Sequence, residues 1–576
     1  MDYQPRAEDA RFILFDVLRA GTQLQALDVA AATDAGLQLQ ILEEAGRFVA
    51  EVVAPLNTAG DSPGCQYADG AITTPPGFKQ AYKAFWQAGW PALAVAPEDG
   101  GQGLPWVLEG ILYEWLSAAN HGWTMAPGLL HGAYECIKHH GSQDLKSRYL
   151  EKVASGEWLA TMCLTEPHAG SDLGLVRTRA EMQADGSYRI SGSKIFISGG
   201  EHDLTENIVH LVLARLADAP PGPRGLSLFI APKLLENGGR NGVHCDRIEE
   251  KMGLHGSPTC AMRFDNATAW MVGEPGRGLS AMFVMMNAAR LHVALQGIGL
   301  LDAAWQKADA YARERKQMRV PGATSSGVRG DAHAIIGHPA MRRVLDTQRA
   351  WVDGGRAIAY QTGLELDIAR HHPDGARREA AQRWCSLVTP VLKAAWTEQA
   401  FHGASDCLQV FGGHGYIREW GIEQIVRDSR VTMIYEGTNE IQAIDLLVRK
   451  VLPDQGAGLA ALCRALGDDV QGDEGVIGLW RRRLAQLLDA TRAVCSTAGR
   501  VPDAAYWIAS DYLRAVALVL LGWAWTRVGQ VPGASSGRWR LARDAYWCWV
   551  FPELEMRLTL IKDTLARLDM PENHTP

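Results

Sequence analysis

The spacing of apolar residues changes twice along this chain of 576 residues. From about Leu37 to Gly156, apolar residues recur every three or four positions, which is the period of an amphipathic helix. From Leu159, short runs of alternating apolar and polar residues are separated by turn residues, as in β-strands. The helical period returns at Gly278. Because a helical pattern cannot bury its apolar residues as a strand, these changes predict a β module between helical segments.

The predicted fold class is mainly α, with a β middle domain and an added C-terminal helical domain. Several domains are expected, because a single hydrophobic core rarely grows to this size. The β segment predicts a small antiparallel unit of sandwich or barrel type. The predicted divisions are an N-terminal extension over residues 1–36, a helical N-terminal domain over 37–158, the β middle domain over 159–277, a helical-bundle domain over 278–452, a linker over 453–475 and a C-terminal helical domain over 476–576.

Charge and cysteine usage argue against several classes of protein. The formal net charge of -8 argues against nucleic acid as the main partner, because phosphate binding needs a basic face. The ten cysteines form no C-x-x-C pair, which predicts reduced thiols in a cytoplasmic compartment and no zinc site. The pairs His139–His140 and His371–His372 are adjacent residues that do not share a helix face, so no metal is predicted.

Neither a signal peptide nor a membrane span is predicted. The first residues include acids and lack an apolar core that ends in a small-residue cleavage site. The longest apolar run, Ala515 to Trp525, is shorter than the ~20 residues that a membrane-spanning helix needs, and it favours a buried helix.

Two segments combine polar groups with an open backbone. In Met162–Asp172, free amides and hydroxyls could hold a flat polar ring or a phosphate, although a capped connection between domains fits the same residues. In Val431–Gln442, Glu436 follows an apolar, strand-like step, and the Thr-Asn-Glu after it can cap a new helix. Apolar neighbours would disfavour the charged carboxylate and poise it as a proton acceptor. An exposed glutamate at a helix start is the alternative.

Two further segments have weaker signals. Gln409–Tyr416 contains adjacent glycines that let a ligand or another backbone approach closely, but it lacks the strand and helix context of a Rossmann fingerprint. Arg313–Gln317 is a charge cluster at the end of a long helix. It is either a solvated face or a phosphate-recognition element acting across a subunit boundary.

In this order, five segments resemble blocks of the acyl-CoA dehydrogenase family: CLTEPHAGSD, KIFISGGEHD, ARERKQ, QVFGGHGY and MIYEGTNEIQ. The resemblance covers about Leu37 to Lys450. The extension after Pro453, the N-terminal YQPRAEDARFIL and the stretch KMGLHGSPTC resemble the long branch of that family, and within it the 3-methylmercaptopropionyl-CoA dehydrogenases.

The resemblance implies a helical N-terminal domain, a β-barrel or sandwich and a four-helix-bundle C-terminal domain, with FAD between the last two. It implies that Glu436 takes the α-proton of an acyl-CoA thioester while the flavin N5 accepts hydride from the β-carbon, giving a trans-2-enoyl-CoA. The ribityl hydroxyl of FAD and the backbone N–H of Glu436 would hydrogen-bond the thioester oxygen, at about 3 kcal/mol per donor.

By position, the resemblance also assigns binding residues. Those assigned to FAD are Cys163, Thr165, Phe196, Ser198, Arg315, Gln409, Gly413, Thr438 and Glu440. Those assigned to the substrate are Ser171, Arg290 and Gly437. Many members have Trp where this chain has Phe196. Arg315, Gln409 and Gly413 are expected to act across a dimer.

The expected partners are an acyl-CoA substrate and an electron-transfer flavoprotein as electron acceptor. A homodimer is expected, because in long members the C-terminal extension covers the surface through which short members form tetramers. Two alternatives use the same fold: an acyl-CoA oxidase that reoxidises the flavin with oxygen, and a nucleic-acid-associated flavoprotein. The second requires a basic C-terminal domain, and Arg481, Arg482 and Arg483 there are accompanied by scattered acids. The acyl group is left open between 3-methylmercaptopropionyl and unbranched chains of various lengths.

Overall fold

The computed structural model describes residues 2–27, 34–322, 332–472 and 474–569. The chain forms two compact units. The helical unit comprises Arg6–Glu43 and Val293–Pro576, and the mixed unit comprises Asp2–Pro5 and Glu44–His292. The predicted loop from Pro321 to Gly330 lies mostly outside the described residues.

The N-terminal part of the chain is mainly helical, as predicted. Its elements are α1 Ala7–Arg11, α2 Ala20–Gln25, α3 Ala35–Phe48, α4 Asn57–Asp61, β1 Gln66–Ala68, β2 Ala71–Thr73, α5 Phe78–Gln87, α6 Trp106–Ala119, α7 His121–Thr124, α8 Leu130–His140, α9 Gln143–Leu145 and α10 Glu151–Ala154. The Gly- and Pro-rich stretch between α5 and α6 contains only short 3-10 turns.

A β-hairpin interrupts these helices and was not predicted. β1 and β2 pair antiparallel across Asp69 and Gly70, which have φ angles of 50° and 81°. Two left-handed residues form the tight turn that matches the twist of paired strands, and Asp-Gly is a preferred sequence for it. The signal was therefore present in the sequence.

The β module lies between helical segments of the chain. Its strands are β3 Leu159–Cys163, β4 Arg179–Met182, β5 Tyr188–Ser198, β6 Ile208–Leu216, β7 Leu226–Pro232, β8 Val243–Ile248 and β9 Thr259–Val272. Pairing runs β6–β4–β5–β9–β7 and returns from β7 to β6, so these five strands close a barrel. Its core contains Ile190, Val212, Phe229 and Phe264.

The expectation of a wholly antiparallel module is wrong at two pairings. β3 and β4 both run parallel to β6. Parallel neighbours need a longer connection than a hairpin, and here β5 lies between β4 and β6 in the chain, while both β4 and β5 lie between β3 and β6. Alternation of apolar residues identifies strands but does not specify their relative direction.

The C-terminal half is helical. Its helices are α11 Gly278–Glu314, α12 Pro339–His371, α13 Gly375–Phe411, α14 Ile422–Arg430, α15 Asn439–Ile444, α16 Ala457–Asp468, α17 Gly475–Ala498, α18 Ala504–Gly529, α19 Gly537–Ala545 and α20 Glu553–Leu568. In the helical unit, α12 packs along α13, and α18 contacts both of them as well as α17 and α20. The fold class predicted from the sequence is confirmed.

Helix α18 fits very closely against α12. At Gly354, an added Cβ would lie 2.2 Å from Leu521 Cδ1, so only glycine allows this approach. Both α11 and α18 have the length and composition of a membrane-spanning helix, but 61% and 72% of their apolar windows are buried in the protein. For α18, this is the buried helix that its sequence favours.

A buried ion network joins distant parts of the helical unit. Arg349 on α12 donates to Asp302 on α11 at 2.9 Å, to Asp353 at 2.8 Å and to Asp9 on α1 at 2.8 Å. The network is extended by two more arginines: Arg356 bonds Asp302 at 2.7 Å, and Arg538 on α19 bonds both Asp353 and Asp9. Three arginines thus face three aspartates.

The charge balance of this network determines the protonation of Asp302. Burial alone would raise the pKa of Asp302, but Arg356 and Arg349 hold it well below its ordinary value. The carboxylate is therefore ionised at neutral pH.

We expect Asp302→Asn to lower the free energy of unfolding by about 3–5 kcal/mol, because it leaves a buried arginine charge uncompensated. Urea denaturation measures this change. The matched control on the same helix is Asp309→Asn, whose partner Arg313 is largely exposed, with an expected change of about 0.5 kcal/mol or less.

The difference between Asp302→Asn and wild type should depend on pH. Because the folded-state pKa of Asp302 is depressed, its contribution is full above the unfolded carboxyl pKa of about 3.9 and declines as the pH falls below it. A difference that stays constant from neutral pH to pH ~2 would contradict this account.

Candidate active site

Glu436 lies on a short loop between α14 and α15 in the helical unit. The step before it, Val431–Met433, is a 3-10 turn, so the strand-like reading of this segment is wrong. Glu436 has a φ of 55° and Gly437 a φ of 86°, two consecutive left-handed residues. A left-handed conformation costs a non-glycine residue about 1–2 kcal/mol and persists only where the surroundings enforce it.

Thr438 ends this loop as the N-cap of α15. Its hydroxyl accepts a hydrogen bond from Ile441 N at 3.3 Å, which is the capping role predicted for this segment. Glu440, in the first turn of α15, is exposed. Gly437 is required by its neighbours: an added Cβ would lie 2.6 Å from Gln442 Nε2.

Buried side chains fix the backbone of the loop. Gln442 Nε2 donates to the carbonyl oxygens of Glu436 at 3.1 Å and Gly437 at 3.3 Å. Lys393 Nζ, from the fully buried Lys393 on α13, donates to Gly437 O at 2.7 Å and to Asn439 Oδ1 at 3.1 Å. Sequence reasoning identified neither Gln442 nor Lys393.

Tyr435 anchors the other side of Glu436. Its hydroxyl donates to Gln296 Oε1 on α11 at 2.6 Å. Burial, with smaller effects from the charges of Glu436 and Asp428, raises the pKa of Tyr435 well above its ordinary value. Tyr435 therefore remains a neutral hydrogen-bond donor.

In the mixed unit, an ion pair brings two of the family blocks together. Lys194 Nζ donates to Glu166 Oε1 and to Leu164 O, both at 2.9 Å, and Glu166 also accepts from Thr178 Oγ1 at 2.6 Å. Ile195 N donates to Thr165 O at 2.9 Å. The segment that carries Thr165 is thereby fixed beside the segment that carries Phe196.

Phe196 is held in an unusual conformation. The pairing register of β5 with β9 shifts between Lys194 and Ile197, and Phe196, inside this bulge, has a φ of 60°. A bulge redirects a side chain, and here the phenyl ring is 60% exposed. A strained, exposed aromatic residue is a typical feature of a ligand site.

The remaining predicted residues of the mixed unit vary in accessibility. The side chain of Cys163 lies in the barrel core, where burial raises its pKa to about 12, so only its backbone is available to a ligand. Ser198 is half-buried and Ser171 is exposed. Arg290 is buried on α11, with Asn287 Oδ1 at 3.5 Å from its guanidinium.

A second group of predicted residues lies together elsewhere in the helical unit. Arg315 follows α11, and Gln409 and Gly413 lie at the end of α13; all three are exposed. Tyr311 connects these elements: its ring stacks on Phe411 with centroids 4.3 Å apart, and its hydroxyl is 2.9 Å from Nδ1 of His414.

Apart from Arg290 on α11 and the exposed Ser171, the predicted residues form three groups: the Glu436 loop with Thr438 and Glu440, the exposed end of α13 with Arg315, and the barrel segment with Thr165 and Phe196. Among the described residues, no cluster of three His, Cys, Asp or Glu side chains could hold a metal ion.

Three family models match this chain. They are the acyl-CoA dehydrogenase N-terminal domain over residues 37–157, middle domain over 161–267 and C-terminal domain over 276–451.

Two curated relatives match most of the chain. It is 42% identical to the 3-methylmercaptopropionyl-CoA dehydrogenase of Ruegeria pomeroyi, across 91% of this chain and 90% of that one. It is 35% identical to a broad-specificity linear acyl-CoA dehydrogenase of Mycobacterium tuberculosis, across 82% of this chain and 79% of that one.

Solved structures share the fold at lower identity. An acyl-CoA dehydrogenase of Bacillus anthracis, complexed with FAD, has a TM-score of 0.73 at 21% identity and covers 96% of this chain and 94% of its own. The Caenorhabditis elegans protein ACDH-11, in complex with C11-CoA, has a TM-score of 0.75 at 18% identity and covers 100% of this chain and 97% of its own.

The chain belongs to the acyl-CoA dehydrogenase family. It is a flavin-dependent enzyme that dehydrogenates acyl-CoA thioesters, as the resemblance implied. Both curated relatives named above are dehydrogenases, and neither name describes an oxidase or a nucleic-acid-binding protein.

Replacing Phe196 should separate backbone strain from ligand contact. Phe196→Ala keeps a left-handed non-glycine residue, whereas Phe196→Gly removes that strain. We therefore expect the flavin-free glycine variant to be more stable than the flavin-free alanine variant by about 1 kcal/mol. Urea denaturation measures the difference. Both variants lose the exposed ring, so both should bind FAD more weakly, and to the same extent, in titrations of the flavin-free protein. Unchanged FAD affinity would contradict a role of the ring in the flavin site.

Proposed function

We propose that Glu436 is the base that removes the α-proton of the acyl thioester. The observation that carries this proposal is the loop of Glu436 and Gly437, whose two left-handed residues are held by buried donors. An enzyme maintains such strain where a catalytic group must keep one position. The N–H of Glu436 would then bind the thioester oxygen, which stabilises the charge that develops on deprotonation.

Each unit by itself carries groups that suit FAD. Phe196 offers an exposed ring surface, and Arg315 offers an exposed cation for a diphosphate. At Gly412 and Gly413, an added Cβ would meet no atom within 4 Å, so a ligand can approach the backbone there. When bound, FAD accepts the hydride from the β-carbon. Thr165, Ser198, Thr438, Glu440, Gln409 and the backbone at Cys163 complete the proposed flavin residues.

For the substrate, we propose 3-methylmercaptopropionyl-CoA, with short- to medium-chain acyl-CoA thioesters as the second candidate. The relative from Ruegeria pomeroyi, which covers nine-tenths of both chains, supports the first, and the broad-specificity relative supports the second. Ser171, Arg290 and Gly437 are the proposed substrate residues. Arg290 is buried, so its approach to a nucleotide would require a change in its surroundings.

A panel of acyl-CoA thioesters with an artificial electron acceptor tests both points. We expect the largest kcat/KM with the thioether substrate and no measurable turnover of any thioester by Glu436→Gln, since an amide cannot accept the proton. The variant should keep its flavin absorbance. Turnover by Glu436→Gln would contradict the assignment of the base, and a higher kcat/KM with unbranched chains would favour the second candidate.

We propose further that the protein is a cytoplasmic homodimer that passes electrons to an electron-transfer flavoprotein. All ten cysteines are free, which supports a reducing compartment. The exposure of Arg315, Gln409 and Gly413 supports a ligand site completed by a second copy.

Sedimentation should give twice the chain mass of 62.8 kDa, and a monomer or a tetramer would contradict the dimer. Mixing the inactive variants Glu436→Gln and Arg315→Ala tests the shared site. If Arg315 acts across the dimer, a heterodimer contains one site with both groups intact, so activity returns after subunit exchange. Absence of recovery from mixtures shown to contain heterodimers would place Arg315 in its own subunit's site.

A further inference from the structure

Lys393 is a buried lysine in the middle of α13. Its side chain is fully excluded from solvent, and a buried ammonium group is costly unless it is well hydrogen-bonded. Of the two acceptors described above, Gly437 O belongs to the loop that carries Glu436, and Asn439 Oδ1 belongs to the first residue of α15. The amine of Lys393 thus donates to the residue next to the proposed base.

Asn439 is held by the same face of α13. Its Oδ1 also lies 3.1 Å from Thr397 Oγ1, which has a shorter contact of 2.7 Å with Lys393 O, and its Nδ2 donates to Ala394 O at 3.1 Å. Lys393 and Thr397 are one helical turn apart, so a single face of a long helix sets the position of the loop.

The bonds to Gly437 O determine a backbone orientation. This carbonyl accepts from both Lys393 and Gln442, and the preceding carbonyl, of Glu436, accepts from Gln442. With both carbonyls held, the peptide planes that follow Glu436 cannot rotate freely. Of these two donors, Lys393 lies closer to Gly437 O, at 2.7 Å against 3.3 Å for Gln442.

We infer that Lys393 is a positioning residue for catalysis: it holds the left-handed backbone at Glu436 and Gly437 so that the carboxylate and N–H of Glu436 keep their places at the substrate. This inference rests on the proposed role of Glu436. It assigns Lys393 no contact with substrate or flavin.

The test is Lys393→Met, which keeps the length of the side chain and removes its donors. Because small displacements of a reacting group are costly, kcat should fall on the order of 10- to 100-fold. KM for the acyl-CoA and the FAD content should stay within about twofold, since binding groups are unchanged. With an α-deuterated thioester, the isotope effect on kcat should rise, because proton removal becomes more strongly rate-limiting.

A second readout needs no turnover. Hydrogen exchange of the flavin-free protein should accelerate at the amides of residues 434–444 and remain unchanged in the barrel. The control is Lys450→Met, at a half-buried lysine that also pairs with Asp445 at 3.2 Å. Lys450 Nζ also donates to a backbone carbonyl, Ser386 O at 2.6 Å, which Pro390 leaves without its usual helical partner. Lys450→Met should leave kcat within about twofold.

Several outcomes would overturn the inference: an unchanged kcat in Lys393→Met, a loss of kcat that only matches a loss of FAD, or an equal loss of kcat in Lys450→Met.

If Lys393→Met does not fold, Thr397→Val tests the inference. It removes the hydroxyl that lies 3.1 Å from Asn439 Oδ1, and a kcat loss of about threefold or more at constant KM is expected. A parental kcat in Thr397→Val would then contradict the inference. Turnover by Glu436→Gln would refute the role of the base itself, a failure separate from that of Lys393.

Discussion

The helical unit depends on a buried set of ion pairs centred on Arg349. This residue bonds aspartates from α1, α11 and α12, and Arg538 brings α19 to the same group. Buried charges are tolerated only when each has its partner, so these helices must dock together to complete the set. The N-terminal extension and the C-terminal helices are therefore integral parts of the unit that carries Glu436.

The region proposed for the base and the region proposed for flavin binding share one backbone feature. Glu436 and Phe196 are both non-glycine residues in left-handed backbone. In each case, a buried lysine donates to a nearby carbonyl: Lys393 to Gly437 O, and Lys194 to Leu164 O. The strain is local, and its stabilisation comes from elements that are themselves rigid, a long helix in one case and a barrel strand in the other.

Much of the fold could be predicted from the sequence, because long segments with one periodicity leave little choice between helix and strand. The helix cap at Thr438 was also readable from local chemistry. The turn at Val431–Met433 was not, since a short apolar run fits a strand and a helical turn equally well. Strand direction in the barrel was equally hidden, because alternation is the same in parallel and antiparallel pairs.

The residues that hold the loop of Glu436 in place could not be predicted from the sequence, for a different reason. In the sequence, Lys393 is indistinguishable from a surface lysine of a helix. Its acceptor, Gly437 O, lies 44 residues away in the chain. The family blocks indicated which residues to propose as ligand contacts. The residues that support those contacts could be identified only from the packing of the helices.

The contact between Gly354 and Leu521 has an evolutionary consequence. Helix α12 can come so near to α18 only because residue 354 has no side chain. A homologue that ends before α18 would be released from this restriction and could accumulate larger residues there. The identity of this one position should therefore record, in any alignment of long and short members, which lineages have carried the extra helices.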